Sequence, residues 1–257
     1  MTRTRAGWLR WYRSWEVQQE HLNRNRERRF SAMLDVVAAS LPARFVAVDL
    51  GCGPGSLSAR LLTRFPRARC VAVDHDPVVQ RIGRGALGTF GGRLTWADAD
   101  LGTVGWDRAL PQGRFDVALS TTALHWLDRT RLVRLYHDLH RRLRPGGVVL
   151  NGDRLPWGEE RPALSRLAGK VRDVRLRRAG RPRRGDGWGV WRSWWSAAER
   201  DPELAPLFAL RAERRCRHPR HGDLPLSVHV RALRRAGFRD VDVVWRDLED
   251  GILLARR

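Results

Sequence analysis

Residues 45–55 read FVAVDLGCGPG, and this stretch decides the fold. Phe45–Leu50 is a short, mostly apolar and β-branched run of the length of a buried strand, broken only by Asp49 near its end. Glycines at 51, 53 and 55 follow, letting the backbone bend sharply and leaving no Cβ between the chain and anything that approaches it. Residues 56–65 then return to helical spacing, with Ser56 placed as the N-cap. Strand, bare turn and helix together make the opening of a βα unit.

The unit repeats downstream. Cys70–Asp74 (CVAVD) is a second strand, and Asp76-Pro77 opens a helix with proline at its first position. Arg93–Asp98 and Phe115–Ser120 read as the third and fourth strands. Leu132–Leu143 carries a helical apolar face and ends in the turn Pro145-Gly146-Gly147, before a strand at Val148–Asn151. After a break the rhythm resumes with a helix at Ser227–Ala236, a strand at Asp240–Trp245 and a last strand at Gly251–Ala255, with Asp250-Gly251 as the turn between them. The class expected is α/β: a Rossmann-like, doubly wound, mostly parallel seven-stranded sheet with a terminal antiparallel hairpin and an inserted helical cap.

A single domain over residues 1–257 is expected. It divides into N-terminal helices (1–42), a ligand-binding core (43–152), the inserted cap (153–226), and the final helix and hairpin (227–257). Trp8, Trp11, Tyr12 and Trp15 fall at i, i+3, i+4 and i+7, so the first helix has one aromatic face that docks on the domain or closes over its ligand. A second helix spans Arg29–Ala39. The cap holds Trp157, Trp188, Trp191, Trp194 and Trp195. Of these, Trp188, Trp191 and Trp195 share a helical face that either packs against the sheet or walls a pocket for an apolar acceptor. Arg161–Arg184 is compositionally biased.

The net charge is +21, yet all of the 49 basic residues except Lys170 are arginine. That skew matches a GC-rich coding bias, although the field would attract phosphates whatever its origin. Three cysteines (Cys52, Cys70, Cys216) with no CxxC pair exclude a disulfide framework and a zinc site, so no metal is expected. No apolar run is long enough for a membrane span, and Arg10, Arg13 and Glu16 interrupt any signal sequence. A cytoplasmic protein without membrane partners is the expectation.

Ligands of open α/β sheets bind beyond the carboxyl ends of the strands. There this sequence places Asp49, Asp74 and Asp98, one on each of three strands. The glycine turn and Asp74 are shared with dinucleotide enzymes, where a carboxylate at this point accepts the ribose hydroxyls. Asp49 separates the readings, since a carboxylate beside the turn repels a pyrophosphate and favours a ligand bearing an ammonium and a sulfonium. A cationic, phosphate-free nucleoside fits: S-adenosyl-L-methionine.

The strings VDLGCGPGSLSARLL, VAVDHDP, WADADL, FDVALSTTALHWL and LRPGGVVL, in this order, resemble the class I methyltransferase superfamily over residues 45–152. The ALHW string is similar to the small-molecule group that includes trans-aconitate methyltransferase. The resemblance implies a methyltransferase, with Gly51, Cys52 and Gly53 along the methionine part of the cofactor and the Gly51 carbonyl receiving its amino group. Asp49 orients that region. Asp74 holds the ribose hydroxyls, and His75 lies beside the adenine. Asp98 accepts the adenine amino group, the Ala99 amide meets a ring nitrogen, and Ser120 sits near the reactive methyl. His125 is the catalytic base expected if the acceptor must lose a proton, or else a packing residue beside Trp126; His218 and His221 are second choices. No Asn-Pro-Pro-Tyr motif stands at 120–123, which counts against glutamine and adenine nitrogens as acceptors. A small-molecule acceptor is therefore favoured. A nucleic-acid methyltransferase using the arginines, a non-catalytic interaction module and a nucleotide-dependent oxidoreductase are the competing readings.

Overall fold

A computed structural model describes residues 3–178, 186–216 and 223–257. Its centre is one seven-stranded sheet in the order β3-β2-β1-β4-β5-β7-β6. The strands are β1 (Val46–Leu50), β2 (Arg69–Asp74), β3 (Leu94–Asp98), β4 (Phe115–Thr121), β5 (Leu143–Arg154), β6 (Arg239–Asp247) and β7 (Asp250–Arg256). β1 to β5 pair in parallel, and β7 runs antiparallel to both β5 and β6. The order reverses between β1 and β4, the point at which an open sheet leaves a crevice beyond its carboxyl ends.

The sheet has an apolar layer on each face. Helices α2 (Arg26–Ser40) and α3 (Ser56–Arg64) bury Phe30, Met33, Leu57 and Leu61 on one side; α5 (Arg129–Arg142) and α9 (Leu226–Arg235) bury Leu132, Leu135, Tyr136 and Leu233 on the other. A third cluster lies off the sheet. There α1 (Arg5–Leu22) packs Trp8 and its aromatic neighbours against α4 (Pro77–Leu87), and α7 (Asp186–Glu199) and α8 (Ala205–Glu213) close over them. The cap is completed by α6 (Pro162–Arg178).

The elements match the sequence pattern, with local corrections. Ser56 does not cap α3: Gly55 holds the N-cap position at φ +86°, and the Ser56 hydroxyl donates to Glu16 of α1. Asp49 takes the capping work from β1, accepting from the Ser58 amide (3.1 Å) and hydroxyl (2.6 Å). The hairpin turn is Leu248-Glu249, with Asp250-Gly251 already in β7, because Asp247 and Asp250 close the ladder as a pair. Pro145-Gly146-Gly147 lies inside the longer β5. Nor does the face Trp188, Trp191, Trp195 pack on the sheet. α7 turns Trp194 and Ala198 inward against α1, while Trp188 remains 48% exposed. The reason is that α1 already covers α4, so α7 meets aromatic rings (Trp11 and Trp15, in edge contact with Trp194 at 5.5 and 5.1 Å) instead of strands.

Candidate active site

Two halves of the sheet's carboxyl rim meet at the β1/β4 reversal. The turn after β1 follows from its glycines: Gly51 and Gly53 sit at φ +66° and +56°, where a side chain would be strained. A Cβ at Gly51 would also lie 2.4 Å from the Ala123 Cβ, so the bare turn lets the loop after β4 come into contact with it. Cys52 is buried and its amide donates to the Val73 carbonyl (2.9 Å), tying the turn to β2. Above it lies Trp15 of α1, whose Cζ2 is 3.5 Å from the position a Gly53 Cβ would take. The aromatic face of the first helix therefore docks on the domain, with Trp15 lying against the turn.

The acidic rim is brought together. Asp74 accepts from the Gly53 amide (2.7 Å) through one oxygen and from the Asp76 amide (2.9 Å) through the other, so it shapes the turn from the end of β2. Each oxygen keeps a further lone pair for a hydroxyl. Loss of hydration, reinforced by Asp76, raises its pKa. Asp49 is buried, and its Oδ1 has no hydrogen-bond partner. Burial pushes its pKa up to about 6, against the Ser58 bonds and with help from Asp74. A buried carboxylate with an orphaned oxygen is costly unless something cationic or hydrogen-bonding completes it. The residues of this half fit a cationic nucleoside.

Other expected contacts are already engaged. Asp98 lies beside Asp74 in register, but both its oxygens are held by Arg214 at the C-cap of α8 (2.8 and 2.9 Å). The Ala99 amide donates to the Asp74 carbonyl (3.1 Å), joining the end of β3 to the end of β2. Ser120 is buried and its hydroxyl donates to the Leu50 carbonyl (3.0 Å), closing the gap between β1 and β4. The His75 carbonyl accepts from Arg214 (2.8 Å). His218 and His221 lie outside the described residues.

The half formed by β4 and β5 has a partner the sequence reading missed. His125, in the short 3-10 turn Leu124–Trp126, places its Nδ1 3.0 and 3.1 Å from the two oxygens of Asp153 near the end of β5. Its amide also points to Asp153 (3.3 Å). Burial works against the His125 charge, but Asp153 outweighs it and the pKa is raised; by the same pairing the Asp153 pKa is lowered despite burial. The loop leading to His125 is braced by Arg29 of α2, which bonds Thr122 and Asp250 (2.6 Å). Thr122 itself sits at φ +54°, a strained position for a β-branched residue. Gly152 makes room for the brace, since a Cβ there would lie 2.9 Å from the Arg29 Cδ. Asp153 was legible in principle: it alternates with Asn151 on β5, and carrying that strand two residues further places it on the rim.

Residues 47–147 match a family model described as "Methyltransferase domain". Trans-aconitate 2-methyltransferase of Azoarcus sp. (strain BH72) is 36% identical over 137 residues, 53% of this chain and 49% of that protein. Malonyl-[acyl-carrier protein] O-methyltransferase of Dechloromonas aromatica (strain RCB) is 35% identical over 105 residues, 40% of this chain and 34% of that protein. The chain thus spans half or less of the length of these curated relatives. An O-methyltransferase family protein from Burkholderia thailandensis superposes with a TM-score of 0.58 at 18% identity, covering 94% of this chain and 58% of that one. The glycine turn, the acidic rim and the β1/β4 reversal thus lie in the part of the chain, residues 47–147, that is similar to methyltransferase domains.

Proposed function

We propose that this protein transfers a methyl group from S-adenosyl-L-methionine to a small molecule whose accepting atom must lose a proton, most simply a hydroxyl. The observation that carries the reading is the His125–Asp153 pair, built on the acceptor side of the β1/β4 reversal and beside the turn that would hold the cofactor. When bound, the cofactor supplies an electrophilic methyl on sulfonium, so the protein needs no nucleophile of its own.

This chain's residues have three tasks. Asp49 and Asp74 hold the positive, ribose-bearing end, while Gly51, Cys52 and Gly53 give it an unobstructed backbone and Trp15 keeps water away from it. Asp153 takes the Nδ1 proton of His125 in a hydrogen bond and so leaves Nε2 as the basic nitrogen. His125 then removes the acceptor's proton as the acceptor attacks in line, with alignment able to supply about 7–11 kcal/mol. An acceptor that attacks unaided, such as a carboxylate, has no use for this pair.

The arginine-rich composition gives less support to a nucleic-acid acceptor. Many arginines are committed to carboxylates within the chain, among them Arg26 with Glu16, Arg60 with Glu16 and Glu27, and Arg154 with Glu249. A cytoplasmic location belongs to the same reading. All three cysteines are free and buried, and among the described residues no helix is long and apolar enough to cross a membrane.

The test is methyl transfer from labelled cofactor to a panel of small hydroxylic, carboxylic and amine acceptors. Label on a hydroxylic acceptor, with turnover collapsing in His125→Gln, is expected. Full turnover by His125→Gln on every acceptor would overturn the reading.

A further inference from the structure

The cap and the cofactor-binding rim share one carboxylate. Arg214 sets its guanidinium squarely on Asp98, NH1 to Oδ1 at 2.8 Å and NH2 to Oδ2 at 2.9 Å, and NH1 also donates to the His75 carbonyl at 2.8 Å. One turn earlier on α8, Arg211 donates its Nε to Asp76 (2.7 Å) and lies 3.9 Å over the Trp195 ring. The next residue, Arg215, is at φ +52°, so the chain bends sharply where the contact is made. Asp76 caps α4 by accepting from the Val78 amide. The end of α8 is therefore clasped to the β2–α4 turn and to the tip of β3, which are the two places where an adenosine bound at Asp74 would project.

We infer that Arg214 is a built-in competitor for the adenine end of the cofactor: it occupies both oxygens of Asp98, the carboxylate that would accept from the adenine amino group, and the cofactor must displace it to bind. This rests on the proposed role of the rim in holding S-adenosyl-L-methionine. The geometry favours exchange over permanent closure. Asp98 keeps about half of its side-chain surface exposed, Arg214 about a third. A pair this exposed is screened by salt and open to exchange with solvent and ligand, so the cofactor can win the contact. Arg211 and Trp195 keep the end of α8 nearby when Arg214 lets go, which couples cofactor uptake to the position of the cap.

The competition gives an affinity change opposite in sign to that of a binding residue. Calorimetric titration with S-adenosylhomocysteine, the demethylated product, at low ionic strength is expected to show binding about twofold to fivefold tighter in Arg214→Ala than in the unaltered chain. Arg214→Met, which keeps the apolar stem of the side chain but has no donor, should behave alike. Raising the salt should narrow the gap, and in an Asp98→Asn background the effect of Arg214→Ala should vanish. Weaker or unchanged affinity in both Arg214 variants overturns the inference while leaving the cofactor reading intact. Absence of binding in every form, including the unaltered chain, overturns both.

Discussion

The two halves of the carboxyl rim treat their acids in opposite ways. Beyond β1 and β2, Asp49 and Asp74 have raised pKa values, because burial outweighs the hydrogen bonds they accept and, among the described residues, neither is paired with an arginine. Beyond β4 and β5, Asp153 is just as deeply buried but has a lowered pKa, because His125 supplies the missing charge. The first half is electrostatically incomplete and gains by taking up a cation. The second is complete in itself, so it can do proton chemistry without being filled. One fold thus separates holding a positive cofactor from deprotonating an acceptor by where it puts its own positive charge.

Removing the base from the complete half should have the largest effect. His125→Gln is expected to lower kcat about 10²- to 10⁴-fold with little change in cofactor affinity, measured by steady-state kinetics beside calorimetry. Equal losses in both would mean that the halves are not separable. Asp153→Asn should cost less in rate and move the pH profile. The ring must be neutral to accept a proton and its pKa is raised by Asp153, so the ascending limb of kcat/KM lies above the ordinary histidine value; without the carboxylate it should shift to lower pH. A limb that stays in place would detach Asp153 from the base.

Gly51→Ala probes the seam between the halves. The new Cβ meets Ala123 at a positive φ, so a stability loss of about 1–3 kcal/mol is expected in denaturant unfolding, with cofactor affinity and turnover falling together. The mildest change is Asp49→Asn. Asparagine can still accept from Ser58, so folding should survive, while affinity for the cationic cofactor drops and loses its pH dependence near 6. The sign for stability is opposite. A pKa raised from 3.8 to about 6 in the fold means that Asp49 favours the folded state at low pH, and that this contribution fades as the pH rises through about 6.

The incomplete half was the easier to read from sequence. Its strands are short apolar runs, its turn is announced by Gly51, Gly53 and Gly55, and its acids stand at strand ends, so local pattern alone puts them side by side. What Asp49 does was only half visible: capping α3 depends on the helix coming back under β1, a tertiary fact that no local spacing carries. The complete half was harder. His125 was visible, but Asp153 lay just past the expected end of β5, and the Arg29 brace joins residues 93 positions apart. Least legible was the cap, where Trp194 turns inward only because α1 already covers α4. Arg214 reaches Asp98 across 116 residues, a pairing that composition and periodicity cannot foresee.

The most direct test is calorimetric titration of the folded full chain with S-adenosyl-L-methionine at pH 7.5 and again at pH 5.5, with NAD as the control ligand. Saturable uptake of one equivalent is predicted, weaker at the lower pH because Asp49 takes up a proton near 6, and no uptake of NAD. No heat from the sulfonium compound at either pH, or a preference for NAD, would contradict a rim that waits for a positive ligand.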